Sequence, residues 1–286
     1  MLSVVIPCRN AATTLGEQLE ALSGERWDKP WEVIVSDNGS TDGSLAVVRR
    51  FESALPGLRV VDSADVRGPA HAMNVGAKAA LGSRLAFCDA DDVVGAGWVK
   101  AVGEALEKYP FVAAVQETAR LNPSWVLEAR EPLGARLPMT RFAPHLPYAG
   151  AGTIGVRKAV HDRVGGFDVS IGALFEIDYA LRLRAAGVPL VLVPEAIVHY
   201  RWRNSIQGIF RQAVWYADGA AAVQKRHAAN PTSVRALTRW PLVHWKAILA
   251  QLPRLTSRGG RARMAWLLGW QAGRIRATVK HRVLVF

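Results

Sequence analysis

Short apolar runs alternate with stretches of helical periodicity over the first 120 residues of the chain. Leu15, Leu19 and Leu22, for example, follow the first run at the spacing of one helical face. This alternation predicts an α/β fold in which helices flank a mostly parallel central sheet. The predicted strands are Leu2–Ile6, Glu32–Ser36, Leu58–Asp62, Arg84–Cys88 and Phe111–Val115.

The pattern changes twice beyond residue 120. Residues 121–150 contain five prolines and no clean period, which predicts a long functional loop or a rim. Regular structure is expected again in three places, and the chain then becomes helical and rich in tryptophan from Trp202 onward. We predict one domain over residues 1–200 and a helical extension over 201–286. The three later elements are a strand at Gly152–Val156, a helix at Phe175–Ala186 and a strand at Leu190–Val193.

The charge is divided unevenly along the chain. Residues 1–200 hold 20 Lys and Arg against 23 Asp and Glu, whereas residues 201–286 hold 16 basic residues and one acid, Asp218. The net charge of +12 is therefore a property of the C-terminal segment.

Several classes of protein are disfavoured by the composition. Cys8 and Cys88 each end an apolar run, so they are expected to be buried thiols in a reducing compartment rather than a disulfide framework. The apolar run at the start is short and lacks N-terminal charge, which argues against a signal peptide. We also expect no transmembrane helix, because no apolar stretch is long enough.

Polar clusters follow three of the predicted strands. Pro7, Arg9 and Asn10 come after the first strand, and Asp37 and Asn38 come after the second. The third cluster, Asp89-Ala90-Asp91-Asp92, follows the fourth strand. Ligands of open parallel sheets bind outside the carboxyl ends of the strands, so these clusters are expected to line one crevice.

Asp89 and Asp91 are two carboxylates placed two residues apart at a strand end. Mg²⁺ and Mn²⁺ bind through one or two carboxylates together with substrate phosphates, so this spacing suits such an ion. The alternative is a solvated acidic turn, or a helix start capped by Asp92. In the same way, Asp37 is either an acceptor for a base or ribose donor group or part of an Asp-Asn-Gly turn, and both roles are compatible.

The ordered series VVIPCRN, SDNGSTDGS and FCDADD resembles the family-2 glycosyltransferases of the GT-A fold. The agreement continues through GPAHAMNVG at Gly68–Gly76, through Gly165–Asp168 and through Glu176–Gly187, and it covers about residues 1–200. The resemblance implies a Rossmann-like GT-A catalytic domain over residues 1–200, with its nucleotide-sugar half at about 1–120 and its acceptor half at about 121–200. It also implies an inverting enzyme that takes sugar from a nucleotide donor with a divalent metal ion (Mn²⁺ or Mg²⁺).

The resemblance also implies roles for single residues. Asp89 and Asp91 would hold the metal ion and the donor diphosphate. His199 follows the apolar run Val191–Val198. In some members a histidine after the corresponding strand contacts the metal, so His199 would do the same, and a core or supporting histidine is the alternative. The residues expected to bind the nucleotide sugar are Pro7, Arg9, Asn10, Asp37, Asn38, Asn74, Asp89 and Ala90.

Two positions depart from the family pattern. Met73 stands where the family often has an arginine, which removes one expected contact to the donor. Phe175 replaces a glutamate before the usual catalytic acid, and alignment of the helix puts that acid at Glu176. Glu176 is therefore the expected general base and Asp178 the reserve candidate, since residues two apart do not share a helix face. A surface acid paired with Arg182 is the alternative for either.

The basic C-terminal segment has three interpretations. Arg-rich helices with Trp and Leu suit an anionic membrane surface, which we favour. A simple packing role is the second, because the apolar positions of residues 261–279 spread over more than half of the helix surface. Nucleic-acid binding through interleaved basic and aromatic residues is the least favoured.

Together these features predict a glycosyltransferase that uses a nucleotide donor, with UDP expected, and a polysaccharide or lipid-linked acceptor. It would lie in the cytoplasm, peripheral to the inner face of the membrane. A nucleotidyltransferase is one alternative, but no Gly-rich basic loop for a triphosphate is found near Val5–Asn10. A non-catalytic nucleotide- or sugar-binding protein is the other.

Overall fold

The first apolar run forms an interior strand of the sheet, β1 (Leu2–Cys8). It pairs in parallel with β2 (Trp31–Asp37) on one side and with β4 (Arg84–Phe87) on the other, and β3 (Arg59–Asp62) extends the sheet beyond β2. These pairings come from a computed structural model, which describes residues 1–130, 136–137, 140–143, 146–227 and 240–282.

The remaining strands make the sheet mixed at its other side. These strands are β5 (Val93–Val94), β6 (Phe111–Glu117), β7 (Arg136–Leu137), β10 (Ile154–Arg157) and β11 (Val191–His199). The order in the sheet is β3-β2-β1-β4-β10-β6-β11-β5, with β7 also paired to β6. β10 is antiparallel to both of its neighbours, whereas β11 is parallel to β6 and antiparallel to β5. The mostly parallel sheet expected from the sequence is therefore present. The strands β8 (Thr140–Ala143) and β9 (Leu146–Tyr148) form a separate pair.

Helices pack on the sheet through the apolar faces that the periodicity predicted. Leu15, Leu19 and Leu22 are fully buried in the same core as the β1 side chains. Gly76 lies so close to β1 that a Cβ there would be 2.4 Å from a methyl group of Val5, so only glycine fits this contact. The helices are α1 (Leu15–Ser23), α2 (Ser44–Arg49), α3 (Pro69–Ala79), α4 (Trp98–Lys108), α5 (Ser124–Arg130), α6 (Lys158–Arg163), α7 (Phe175–Ala185), α8 (Ile206–Arg226), α9 (Trp240–Gln251) and α10 (Arg258–His281).

The segment 121–150 is more regular than the sequence predicted. It contains α5 and the short strands β7, β8 and β9. Its prolines obscured these elements because they interrupt both the helical and the strand periods. Part of the predicted loop lies outside the described residues.

The chain divides into two compact units. The first comprises residues 1–117, 136–169 and 176–201 and contains the sheet. The second comprises residues 118–135, 170–175 and 202–286, so two internal segments group with the C-terminal one. The last of these divisions falls between residues 201 and 202. The domain bounds drawn from the sequence, 1–200 and 201–286, stay a prediction, and they did not include the two internal segments.

Helix-on-helix packing builds the second unit. Gly269 and Gly273 of α10 face α8, and a Cβ on Gly269 would lie 2.6 Å from the carbonyl oxygen of Phe210. Arg130 is buried, with its guanidinium 4.0 Å from the ring centroid of Trp266 and 5.4 Å from that of Trp202. Among the described helices, none is long and apolar enough to cross a bilayer.

Candidate functional site

The loop after β1 is tied to the loop after β2. Asn10 adopts a left-handed conformation (φ 51°), and its side-chain oxygen accepts a hydrogen bond from the backbone N–H of Thr41 at 2.8 Å. The backbone N–H of Asn10 donates to the hydroxyl of Ser40 at 3.1 Å. Arg9 and Asn10 are exposed and Pro7 is half-buried, so this loop forms one accessible rim of the strand ends.

Asp37 and Asn38 both take part in turns. The Asp37 carboxylate accepts from the backbone N–H of Ser40 at 3.2 Å, which is the Asx turn considered from the sequence. The Asn38 side chain donates to the carbonyl of Ser63 and accepts from the backbone N–H of Gly68 at 2.9 Å. Asn38 therefore shapes the neighbouring loop, while the Asp37 carboxylate retains lone pairs that this one donor does not use.

The acidic triplet begins two residues after β4. Asp89 and Asp91 are half-buried and Ala90 is buried between them. The carboxylate of Asp89 lies against the backbone of Gly152, where a Cβ would be 2.5 Å from its Oδ2 atom. Gln18 of α1 donates to the backbone oxygen of Asp89 at 3.3 Å. Gln18 therefore holds the backbone of this loop. The Asp89 carboxylate packs so closely on residue 152 that only glycine fits there.

Arg201 fixes the same loop from the end of β11. Its backbone N–H donates to Oδ1 of Asp92 at 2.8 Å, and its Nε donates to the backbone oxygen of Asp91 at 2.8 Å. Its terminal nitrogen reaches Glu17 at 2.6 Å. Burial, and secondly the charges of Asp89 and Asp91, hold the pKa of Asp92 well above its usual range. Sequence reasoning missed Arg201, because this residue begins the basic C-terminal segment and was counted with it.

His199 lies in β11, where it pairs with Val93 of β5 and so is close in register to the acidic triplet. Its Nδ1 is 2.7 Å from a carboxylate oxygen of Glu117. A carboxylate that binds one imidazole nitrogen orients the ring and leaves Nε2 as the nitrogen available to a ligand. This arrangement suits both the metal-contact interpretation and that of a supporting histidine.

The side chains at the end of β4 offer metal-ligand atoms that are compatible with a hard divalent cation. Asp89 and Asp91 supply carboxylate oxygens at the end of one strand. Within the described ranges, no three His, Cys, Asp or Glu side chains are grouped so that they could hold a metal ion, so His199 is not brought together with Asp89 and Asp91 as a third ligand. Mg²⁺ and Mn²⁺ are commonly held by one or two carboxylates and completed by substrate phosphates, so these residues fit such an ion.

Asn74 on α3 is bound to the turn that follows α6. Its side-chain nitrogen donates to the carbonyl of Phe167 at 2.8 Å, and its oxygen accepts from the N–H of Phe167 at 2.9 Å. Gly165 and Gly166 both have positive φ in this turn. A Cβ on Gly166 would lie 2.6 Å from the Asn74 oxygen, so the glycine permits the contact. The neighbouring Met73 is buried in the core.

The two acids of α7 have different environments. Asp178 is fully buried and accepts a hydrogen bond from Nε of Arg182 at 2.7 Å. The same guanidinium donates to the carbonyl oxygens of Val164 and Gly166, which ties Asp178 to the turn held by Asn74. Glu176 is half-buried, and burial raises its pKa to about 7. The ion pair with Arg182 considered for either acid is thus made by Asp178.

Comparison with known proteins places the chain among glycosyltransferases. The model of "Glycosyl transferase family 2" matches residues 3–165. The pre-mycofactocin glycosyltransferase of Mycobacterium tuberculosis is 28% identical over 253 residues, which are 85% of this chain and 52% of that relative. The chain thus spans about half the length of that curated relative.

Solved structures agree on the fold. The mannosyltransferase PcManGT from Pyrobaculum calidifontis, in complex with GDP-Man and Mn²⁺, superposes with a TM-score of 0.62 at 21% identity, covering 98% of this chain and 87% of that one. S. aureus TarS 1–349 in complex with UDP-GlcNAc gives a TM-score of 0.55 at 17% identity, covering 98% and 92%. The GT-A fold expected from the sequence is therefore confirmed.

Proposed function

Because the chain belongs to glycosyl transferase family 2, we propose that it transfers a sugar from a nucleotide donor to a saccharide or lipid-linked acceptor in an inverting reaction. The observation that carries the proposal is the pair Asp89 and Asp91 at the carboxyl end of β4. Gln18, Gly152 and Arg201 hold their loop in one conformation. Such rigidity is what a site needs when it positions a charged substrate.

The donor would bind along the rim formed by the loops after β1 and β2. Asp37 offers a carboxylate to a donor group of the base or ribose, and Arg9 and Asn10 are accessible beside it. The amides of Asn38 and Asn74 hold neighbouring backbone, so we assign them the role of shaping the donor pocket. Pro7 and Ala90 would contribute shape at the strand ends.

Asp89 and Asp91 would hold the divalent ion, Mn²⁺ or Mg²⁺, with His199 as a further contact. Such an ion, when bound, neutralises negative charge that develops on a departing nucleoside diphosphate. The role of Arg201 is to keep the backbone of Asp91 and the side chain of Asp92 in place. Glu117 holds the ring of His199.

Glu176 is the proposed general base. An inverting transfer requires one group to accept the proton of the acceptor hydroxyl as the anomeric carbon is attacked. A carboxyl whose pKa is about 7 is well matched to that step near neutral pH. Asp178 is less suited, because Arg182 already occupies one of its oxygens.

The donor, acceptor and location are proposed more broadly. UDP is the first nucleotide to test, and GDP- and dTDP-sugars belong in the same screen because the similar structures carry GDP-Man and UDP-GlcNAc. The acceptor is proposed to be a polysaccharide or glycolipid precursor. The basic C-terminal segment supports a peripheral position on the cytoplasmic, anionic face of a membrane.

Metal-dependent donor binding and hydrolysis test the proposal. In titrations with UDP and MnCl₂, Asp91→Ala should lose the manganese-dependent part of the affinity, whereas the exposed-acid control Asp28→Ala should keep it. Glu176→Gln should lose hydrolysis of the nucleotide sugar and retain its binding.

Undiminished manganese-dependent affinity in Asp91→Ala would show that the ion is held elsewhere. Donor binding without hydrolysis or transfer by the unmodified chain would instead favour the non-catalytic binding protein. Release of pyrophosphate from a nucleoside triphosphate would favour the nucleotidyltransferase.

A further inference from the structure

Four large apolar side chains are exposed in a row along α9 and the short 3-10 helix Leu252–Thr256. We call them the apolar ledge: Trp245 (51% exposed), Leu249 (63%), Leu252 (52%) and Leu255 (36%). Their spacing of four, three and three residues keeps them on one side of consecutive helical turns.

The ledge is the exposed side of a helix whose other side is packed. Ile248 of α9 is buried with Met264 and Leu267 of α10. The orientation of α9 is therefore set by this core contact, and Trp245 and Leu249 face solvent as a consequence. The ledge belongs to one compact unit and needs no contact with the other.

An apolar groove continues the ledge. Leu255 forms one wall, and the other walls come from α8 and α10. Arg261 also lines the groove and donates to the carbonyl oxygens of Leu255 and Thr256 at 3.1 Å, which anchors the end of the 3-10 helix. The groove is further lined by Ile206, Phe210, Met264 and Leu268.

Basic side chains accompany this apolar surface. Lys246 and Arg254 are exposed within the ledge sequence, and Arg258 and Arg261 are exposed directly after it. The one acid of residues 201–286, Asp218, is paired with Lys280 and His281, so it does not offset the charge of the ledge. Glu128 of α5 accepts a hydrogen bond from Ser257 at 2.7 Å, so one acid lies beside the four cations. Exposed apolar side chains with exposed cations in the same stretch of chain match an anionic lipid surface, whose headgroups attract the charge while its acyl chains accept the leucines.

We propose that the apolar ledge is the membrane-docking surface of this protein, with an anionic phospholipid bilayer as its partner. Trp245 would lie at the headgroup level, as tryptophan does at membrane interfaces, and the three leucines would enter the acyl boundary. The inference rests on the membrane association proposed above and adds which residues make it.

Vesicle sedimentation tests the inference with the full chain. The probes are vesicles of phosphatidylcholine alone and of phosphatidylcholine mixed with phosphatidylglycerol. Leu249→Ser with Leu252→Ser should weaken binding to the anionic vesicles by roughly tenfold or more, since two apolar anchors are lost. The matched control is Leu81→Ser with Val60→Ser, which alters exposed apolar residues of the sheet-containing unit, 76% and 43% exposed. It should bind as the unmodified chain does.

Each alternative result is distinguishable. If the unmodified chain binds anionic vesicles and the ledge variant binds equally well, the ledge is not the docking surface, although the association stands. If the unmodified chain binds neither vesicle, the association itself fails. If the ledge variant converts a dimer into a monomer on size exclusion and leaves vesicle binding unchanged, the ledge covers a second copy of the chain instead. Equal melting temperatures of the two variants exclude misfolding as the cause of a loss.

Discussion

Arg182 separates the roles of the two acids on α7. It binds Asp178 and two backbone carbonyls of the turn after α6, so Asp178 is part of a buried structural network. Burial raises the pKa of Glu176 to about 7, which allows this carboxyl to exchange a proton near neutral pH. Spacing alone indicated that only one acid would face the site, and the packing of Arg182 favours Glu176.

Asp178→Asn should therefore reduce stability more than chemistry. Removing one charge of a buried ion pair leaves Arg182 uncompensated and costs about 3 kcal/mol of the free energy of unfolding. Urea denaturation checks this, with the exposed Asp162→Asn as control. A variant of unchanged stability with turnover lowered by several orders of magnitude would make Asp178 the base, and Glu176→Gln would then retain activity.

The pKa of Glu176 also predicts a pH dependence. The base must be ionised in the free enzyme, so kcat/KM should rise with pH and reach a plateau above about 7. Stability should change in the opposite direction. Because the folded pKa is raised from 4.5, the unfolded chain loses this proton first, and the stability of the wild type relative to Glu176→Gln should fall as pH rises from 4.5 to about 7. A flat difference in unfolding free energy across this range would contradict the assignment.

At the scale of elements, the end of β11 controls the loop that follows β4. His199 pairs in register with β5 and Arg201 binds the loop directly, so a strand remote in sequence completes the acidic site. Periodicity predicted the strand near residues 190–193 but not its extension to residue 199. The β-bulge between Val193 and Ile197 and the exposed Pro194 and Glu195 hid the second half of the strand.

Arg201→Ala should release the acidic loop and weaken manganese-dependent UDP binding by roughly tenfold, as loss of one or two charge-assisted hydrogen bonds implies. Glu17→Gln is the matched control, because it removes only the contact of Arg201 outside the loop. Isothermal titration in the presence of MnCl₂ measures both variants. Equal affinities for Arg201→Ala and the wild type would show that Gln18 and Gly152 suffice to hold the loop.

At the scale of the whole molecule, the separation of charge predicts a separation of salt effects. Vesicle binding by the basic segment should fall steeply with ionic strength, because exposed charges are screened over about 8 Å at physiological salt. Donor hydrolysis in the absence of lipid should fall much less. Sedimentation and hydrolysis measured over one salt series give the comparison, and parallel losses of both would contradict separate sites.

A deletion of residues 235–286 tests membrane docking by the basic C-terminal segment less well than the point variants of the ledge do. It would remove α10, whose Gly269 and Gly273 pack closely on α8, and so would expose the core of the second unit. Loss of lipid binding after that deletion would not distinguish docking from unfolding.

The sequence by itself determined the local features of this protein. Alternating apolar periods predicted the strands and helices of the sheet, and polar residues at strand ends predicted a candidate site, because both follow from near neighbours in the chain. The tertiary structure decided the rest. Arg201 at Asp91, Glu117 at His199 and Phe167 at Asn74 are contacts between residues of different elements. Arg182 and Asp178 are neighbours within α7, and the contacts that the fold adds are those of Arg182 with the carbonyl oxygens of Val164 and Gly166. Only the folded chain brings these groups within hydrogen-bond reach, and only there does burial raise the pKa of Glu176 or leave the ledge of α9 exposed.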